Sequence, residues 1–145
     1  MKEFRQEKLM RAMSANNNCC QTTANIFCEE FGVSVETMSL LTAGFGGGMS
    51  LGEKCGAVTG MFLIAGLWYG PFDGSDEEKK AGMKALIGRL NQRFLDEYGC
   101  TDCNTLKANL EKGKYDLASV ESRGLRPCVL FMEKACDILE EELGI

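Results

Sequence analysis

The chain has 145 residues, 45% of them hydrophobic and 26% charged, which suits one domain with a real core. Its net charge of −5 gives nucleic-acid binding no electrostatic support. Eight cysteines stand beside no histidine, which excludes Ser-His-Asp and Cys-His catalysis, imidazole metal ligation and c-type haem attachment. Thiolate, carboxylate, lysine and tyrosine chemistry remain.

The predicted elements are helical, because apolar residues recur with a period near 3.6 and no useful strand alternation occurs. Residues 3–15 read as an amphipathic helix. Its start, Met1 to Lys8, is charged and lacks the apolar stretch of a secretory signal, which points to the cytoplasm. Thiols stay reduced there, so many cysteines suggest metal binding or redox work rather than a disulfide scaffold. Asn16-Asn17-Asn18 breaks the pattern and offers N-caps to a second helix, Cys19 to Phe31, ended by Gly32. Ser34 caps a third helix, with Glu36 in its first turn.

Gly44 to Gly52 is a glycine-rich loop. It is neither a dinucleotide fingerprint nor a phosphate loop, since no strand precedes it and Glu53-Lys54-Cys55 stands where Lys-Ser/Thr is needed. An apolar helix from about Glu53 to Tyr69 follows, stopped by Gly70-Pro71. The uncharged run from Cys55 to Phe72 is long enough for a membrane span. Its four glycines, Gly56, Gly60, Gly66 and Gly70, favour a central buried helix with close neighbours. The same surface is compatible with a homodimer interface.

The segment Gly74 to Glu78 caps a helix reaching Tyr98, with Met83, Leu86, Ile87, Leu90 and Phe94 on one stripe and Gly99 at its end. Cys100-Thr101-Asp102-Cys103 is a turn into a short helix ending near Leu110. Residues 111–126 are polar and read as irregular. Pro127 is placed in the first turn of a last helix, with Cys128, Met132, Ala135, Leu139 and Leu143 on one stripe. The sum is one all-α domain, residues 1–145, a bundle of five to seven helices with the glycine-rich loop before the central apolar helix.

The cysteines fall in a pattern. Cys19 or Cys20, Cys55, Cys103 and Cys128 each lie in or near a first helical turn, where unpaired N–H groups carry partial positive charge and favour thiolate. Cys28 and Cys136 sit mid-helix among apolar neighbours and read as small core residues. Cys100 with Cys103 forms a C-x-x-C, but no βαβ unit surrounds it, so a thioredoxin-type role is not supported.

These residues resemble the redox-active family named for its pattern C, GCAxxG, C and C, over about Asn18 to Leu139. Asn18-Cys19-Cys20-Gln21 resembles the first cysteine segment. Gly44 to Met49 with Cys55-Gly56-Ala57-Val58-Thr59-Gly60 resembles the central block. Asp102-Cys103 and Pro127-Cys128 resemble the third and fourth cysteines. Lys54 stands before Cys55, so the G-C-A order is not literal, and Cys20, Cys28, Cys100 and Cys136 are additional. The family is in turn similar to the cluster-bearing part of split-Soret cytochromes, which implies an iron-sulfur site without haem.

The expected working residues are Cys19, Cys55, Cys103 and Cys128, as redox thiols or as metal ligands. Gly46, Gly47, Gly48 and Gly56 are expected to line a bound group. The leading expectation is an iron-sulfur protein passing electrons to an unidentified redox partner, with a two-iron, two-sulfide (2Fe-2S) cluster on the four cysteines. Zinc on the same thiolates is an alternative, although gaps of 36, 48 and 25 positions are unlike compact zinc knuckles. A metal-free thiol–disulfide enzyme would use Cys55 as the low-pKa attacking thiol and Cys103 or Cys19 as its resolving partner. A non-catalytic helical interaction protein with buried cysteines is the third reading.

Overall fold

Side-chain caps open four of the eight helices in the computed structural model, which describes residues 1–145. Helix α1 (Glu3–Ser14) leads to α2 (Cys19–Phe27), which opens on a reciprocal cap. The Gln21 N–H donates to Asn18 Oδ1 at 2.9 Å, and the Asn18 N–H donates to Gln21 Oε1 at 3.0 Å. A tighter turn, Cys28–Phe31, extends α2 to Gly32, whose φ of 76° ends it. Ser34 caps α3 (Val35–Thr42) by accepting from the Thr37 N–H. After the glycine-rich loop come α4 (Gly56–Tyr69) and α5 (Glu77–Tyr98), the latter capped by Asp76 and ended by Gly99. Asp102 caps α6 (Cys103–Glu111). Then follow α7 (Ala118–Glu121) and α8 (Val129–Leu143).

The bundle is all-α with eight helices, one more than the expected upper bound. The extra one is α7, inside the stretch expected to be irregular. The Asp116 carboxylate accepts from the Ala118 N–H at 3.0 Å, and Val120 is fully buried, so one cap and one apolar anchor suffice for a single turn. Helix α4 begins three residues later than expected, because Glu53 and Lys54 are held in an extended pairing with the segment around Asp102. Pro127 precedes the N-cap Cys128 rather than entering the first turn of α8.

Helix α4 is the central element, packed against α2, α5 and α8. It buries Val58, Met61, Ile64 and Ala65, against Leu86, Leu90 and Phe94 of α5 and Met132, Ala135 and Leu139 of α8, all in one core. No helix is long and apolar enough to cross a membrane.

The glycines of α4 divide by surroundings. A Cβ on Gly60 would sit 2.8 Å from Thr23 Cβ, and one on Gly56 would sit 2.8 Å from the Cys20 backbone nitrogen, so both permit the α2–α4 approach. A Cβ on Gly66 would meet nothing within 4 Å. Gly66→Ala is therefore expected to stabilise the protein by about 0.5–1 kcal/mol through the unfolded chain and helix propensity. A urea midpoint at or below that of the parent protein would contradict this.

At the other end, Arg5 is fully enclosed and donates to both Glu30 and Glu140, at 2.6 Å and 2.8 Å for the closest pairs. Its guanidinium also lies 4.4 Å from the Phe27 ring centroid. This knot joins α1, the turn after α2, and α8, leaving the opposite end of the bundle to the cysteines.

Candidate redox site

Four cysteines are delivered to one place by four helix starts. Cys19 is the first residue of α2, Cys55 is the N-cap of α4, Cys103 is the first residue of α6 and Cys128 is the N-cap of α8. All four line a single cavity of about 300 Å³. Leu106 and Phe131 supply its apolar wall, Gly47 and Gly56 its backbone wall, and Lys107 and Arg126 its cations.

Two backbone segments clamp Cys55 beside Cys103. The Cys55 N–H donates to Thr101 O at 2.7 Å, and the Cys103 N–H donates to Glu53 O at 2.5 Å. Between them Lys54 Nζ donates to Thr101 Oγ1 at 2.8 Å and Asn91 Oδ1 at 3.0 Å. Lys54, the departure from the G-C-A order, thus fastens the clamp and does not line the cavity. Across from it, Cys19 and Cys128 line the same cavity, and the Cys19 thiol is the largest influence lowering the Cys128 pKa.

The four thiols are electrostatically unequal. Cys128 is pulled down to about 6, first by the Cys19 thiol and then, against the burial that opposes it, by Arg126 and Lys107. Cys19 is driven well above the ordinary thiol range by the same interaction and by burial. Burial pushes Cys55 up to about 12, with the N–H groups of Ala57 and Val58 offsetting part of that. Burial also raises Cys103, against the pull of Lys107. The low pKa expected of Cys55 is thus opposed by its burial. Cys55 is only 4% exposed, and desolvation outweighs its position at a helix start. Of the four, Cys128 alone is shifted towards the thiolate.

The remaining cysteines lie elsewhere. Cys20 is fully buried and pushed up to about 11 by desolvation. Cys28 and Cys136 are core residues, both raised by burial. Cys100 faces a separate shallow recess, where Asn109 Nδ2 lies 3.7 Å from its sulfur and Tyr115 lines the wall. The C-x-x-C is thus split: Cys103 turns into the main cavity and Cys100 away from it.

The glycine-rich loop contributes less lining than expected. Gly47 and Gly56 border the cavity, whereas Gly46 and Gly48 are packing positions. A Cβ on Gly46 would lie 2.4 Å from Asn18 Cβ, and one on Gly48 would lie 2.4 Å from the Glu53 nitrogen. Gly47, Gly48, Met49 and Ser50 run consecutively with φ between 58° and 63°, a left-handed turn. For Met49 and Ser50 this costs about 1–2 kcal/mol each. Sequence reading missed Lys107 and Arg126. Lys107 stands four residues after Cys103, on the same helical face, and Arg126 two residues before Cys128, so a signal was present.

No three cysteine, aspartate or glutamate side chains converge closely enough to hold a single metal ion. The cavity therefore presents one facing pair, Cys19 with Cys128, and a clamped pair, Cys55 with Cys103.

No curated protein and no solved structure matches this chain. One family model, described as Putative redox-active protein (C_GCAxxG_C_C), matches residues 17–142. Those residues contain all four cavity cysteines and every helix after α1 but for the last residue of α8, and the chain belongs to the C_GCAxxG_C_C family.

Proposed function

We propose that the cavity holds a 2Fe-2S cluster on Cys19, Cys55, Cys103 and Cys128, and that the protein carries electrons. The observation behind this reading is that four thiols from four helix starts line one cavity. Such a cluster takes four thiolates, two on each iron. Zinc would need its sulfurs gathered about one centre, a convergence these donors lack. When bound, the cluster would supply a one-electron store. The chain's own residues do the rest: Leu106 and Phe131 exclude water, the Ala57 and Val58 N–H groups face the Cys55 sulfur, and Lys107 and Arg126 offset the negative charge. Reduced thiols suit a reducing compartment such as the cytoplasm.

Anaerobic reconstitution with iron and sulfide tests this. The expected product is coloured, with visible charge-transfer absorption and iron and sulfide in equal amounts. A colourless, iron-free protein after that treatment would sink the cluster.

The facing of Cys19 and Cys128 favours a second reading, metal-free thiol–disulfide exchange. The Cys128 thiolate would attack a substrate disulfide and release one substrate thiolate. Cys19, losing its proton, would displace the other and leave a Cys19–Cys128 disulfide. Two electrons would pass from the protein to the substrate.

A further inference from the structure

The cavity wall carries charge of one sign. Lys107 and Arg126 line it beside Cys128, and no aspartate or glutamate does. In a chain of net charge −5 this is a local inversion. Both side chains are exposed, and neither belongs to any ion pair of the structure. Arg126 is nevertheless oriented, because its Nη2 donates to Asn17 O at 2.6 Å. Of the neighbouring carboxylates, Asp102 is turned back onto Thr105, and Glu53 is exposed and does not line the cavity. Asn18, also on the wall, adds a neutral polar group.

From this placement we infer that Lys107 and Arg126 form an anion subsite at the mouth of the redox cavity, and that the cavity's redox partner is a small molecule bearing carboxylate or phosphate groups. The inference rests on the cavity being the redox centre but not on whether a cluster or a thiol pair operates there. A recess of about 300 Å³ with the cations in its wall suits a small ligand better than a flat protein face. Two unpaired cations beside Cys128 would concentrate anionic reagents and repel cationic ones, and salt would screen both effects.

The test uses the metal-free protein and two disulfide probes, anionic dithiobis(nitrobenzoate) and cationic cystamine. In each reaction Cys128 forms a mixed disulfide and one probe thiolate leaves. The readout is the ratio of the two rate constants, since any change in thiolate fraction acts on both probes alike. In the K107Q/R126Q variant the anionic-to-cationic ratio should fall roughly tenfold at low salt and change little at high salt. Inorganic phosphate should slow the anionic probe in the parent protein and not in the variant. K107Q alone, which leaves the Asn17 contact intact, should show a smaller fall in the same direction. An unchanged ratio in both variants would overturn the subsite. A fallen ratio without phosphate competition would assign the cations to an acidic protein surface and overturn the small-ligand reading. Failure of cluster reconstitution leaves this readout intact, so the two outcomes are separable.

Discussion

Iodoacetamide is expected to alkylate the metal-free protein first at Cys128, with a half-maximal rate near pH 6. A thiol reacts as its thiolate, and Cys128 is the one cavity cysteine whose surroundings stabilise that form. The largest contribution comes from the Cys19 thiol, so Cys19→Ala should move the midpoint up towards the ordinary thiol range. At pH 7 the labelling rate of Cys128 should then fall by roughly two- to fivefold, the lost thiolate fraction being largely offset by higher intrinsic nucleophilicity. Peptide mapping that finds Cys55 labelled ahead of Cys128 would reverse the assignment.

The same asymmetry has a consequence for stability. The folded-state pKa of Cys128 lies below its unfolded value, so its contribution is fully present above about pH 8.5 and is lost as pH falls towards 6. Burial raises Cys55 and Cys103, so their contributions are present at lower pH and are lost as pH rises past the ordinary thiol range. The urea midpoint of the metal-free protein should therefore decline on the acid side between those limits. Cys128→Ala should flatten that decline while leaving the alkaline part set by Cys55 and Cys103.

Gly60→Val should destabilise the protein by about 3 kcal/mol, an overpacking penalty at the top of the usual range. For a domain of this size that lowers Tm by on the order of 10 °C. The added Cβ alone would lie 2.8 Å from Thr23 Cβ and 3.3 Å from Cys20 O, and α2 and α4 are each held by further neighbours. The effect should reach the site, because Cys19 and Cys55 stand at the starts of these two helices. Forcing the helices apart separates the two sulfurs, so uptake of iron and sulfide should drop even below the unfolding temperature. Gly66→Ala, six residues along the same helix, should do neither. Similar Tm values for Gly60→Val and the parent would mean that the close α2–α4 approach does not exist in solution.

Much of this architecture is legible in one dimension because the chemistry concerned is local. Asn18, Ser34, Asp76 and Asp102 cap the helices that follow them, and Gly32, Gly70, Gly99 and Gly144 end those before them, each through contacts within a few residues. The core stripes of α5 and α8 follow from helical period, and the all-α class follows from both. The placement of Cys19, Cys55, Cys103 and Cys128 at helix starts is legible for the same reason. Helix α7 escaped because its anchor is a single residue, Val120, whose burial depends on distant parts of the chain.

The tertiary structure decided how the cysteines differ from one another. A helix start favours thiolate at all four positions alike, so local sequence ranks none above the others. Burial of Cys55, the facing of Cys19 with Cys128, and the arrival of Lys107 and Arg126 at one cavity wall break that equality. Likewise the Cys100–Cys103 spacing shows a pair, while the turn that brings Asp102 against Lys54 sends the two sulfurs into different recesses. Local sequence thus determines an all-α chain in which Cys19, Cys55, Cys103 and Cys128 stand at helix starts. How those thiols differ in pKa depends on packing, because desolvation and charge act through space between residues far apart along the chain.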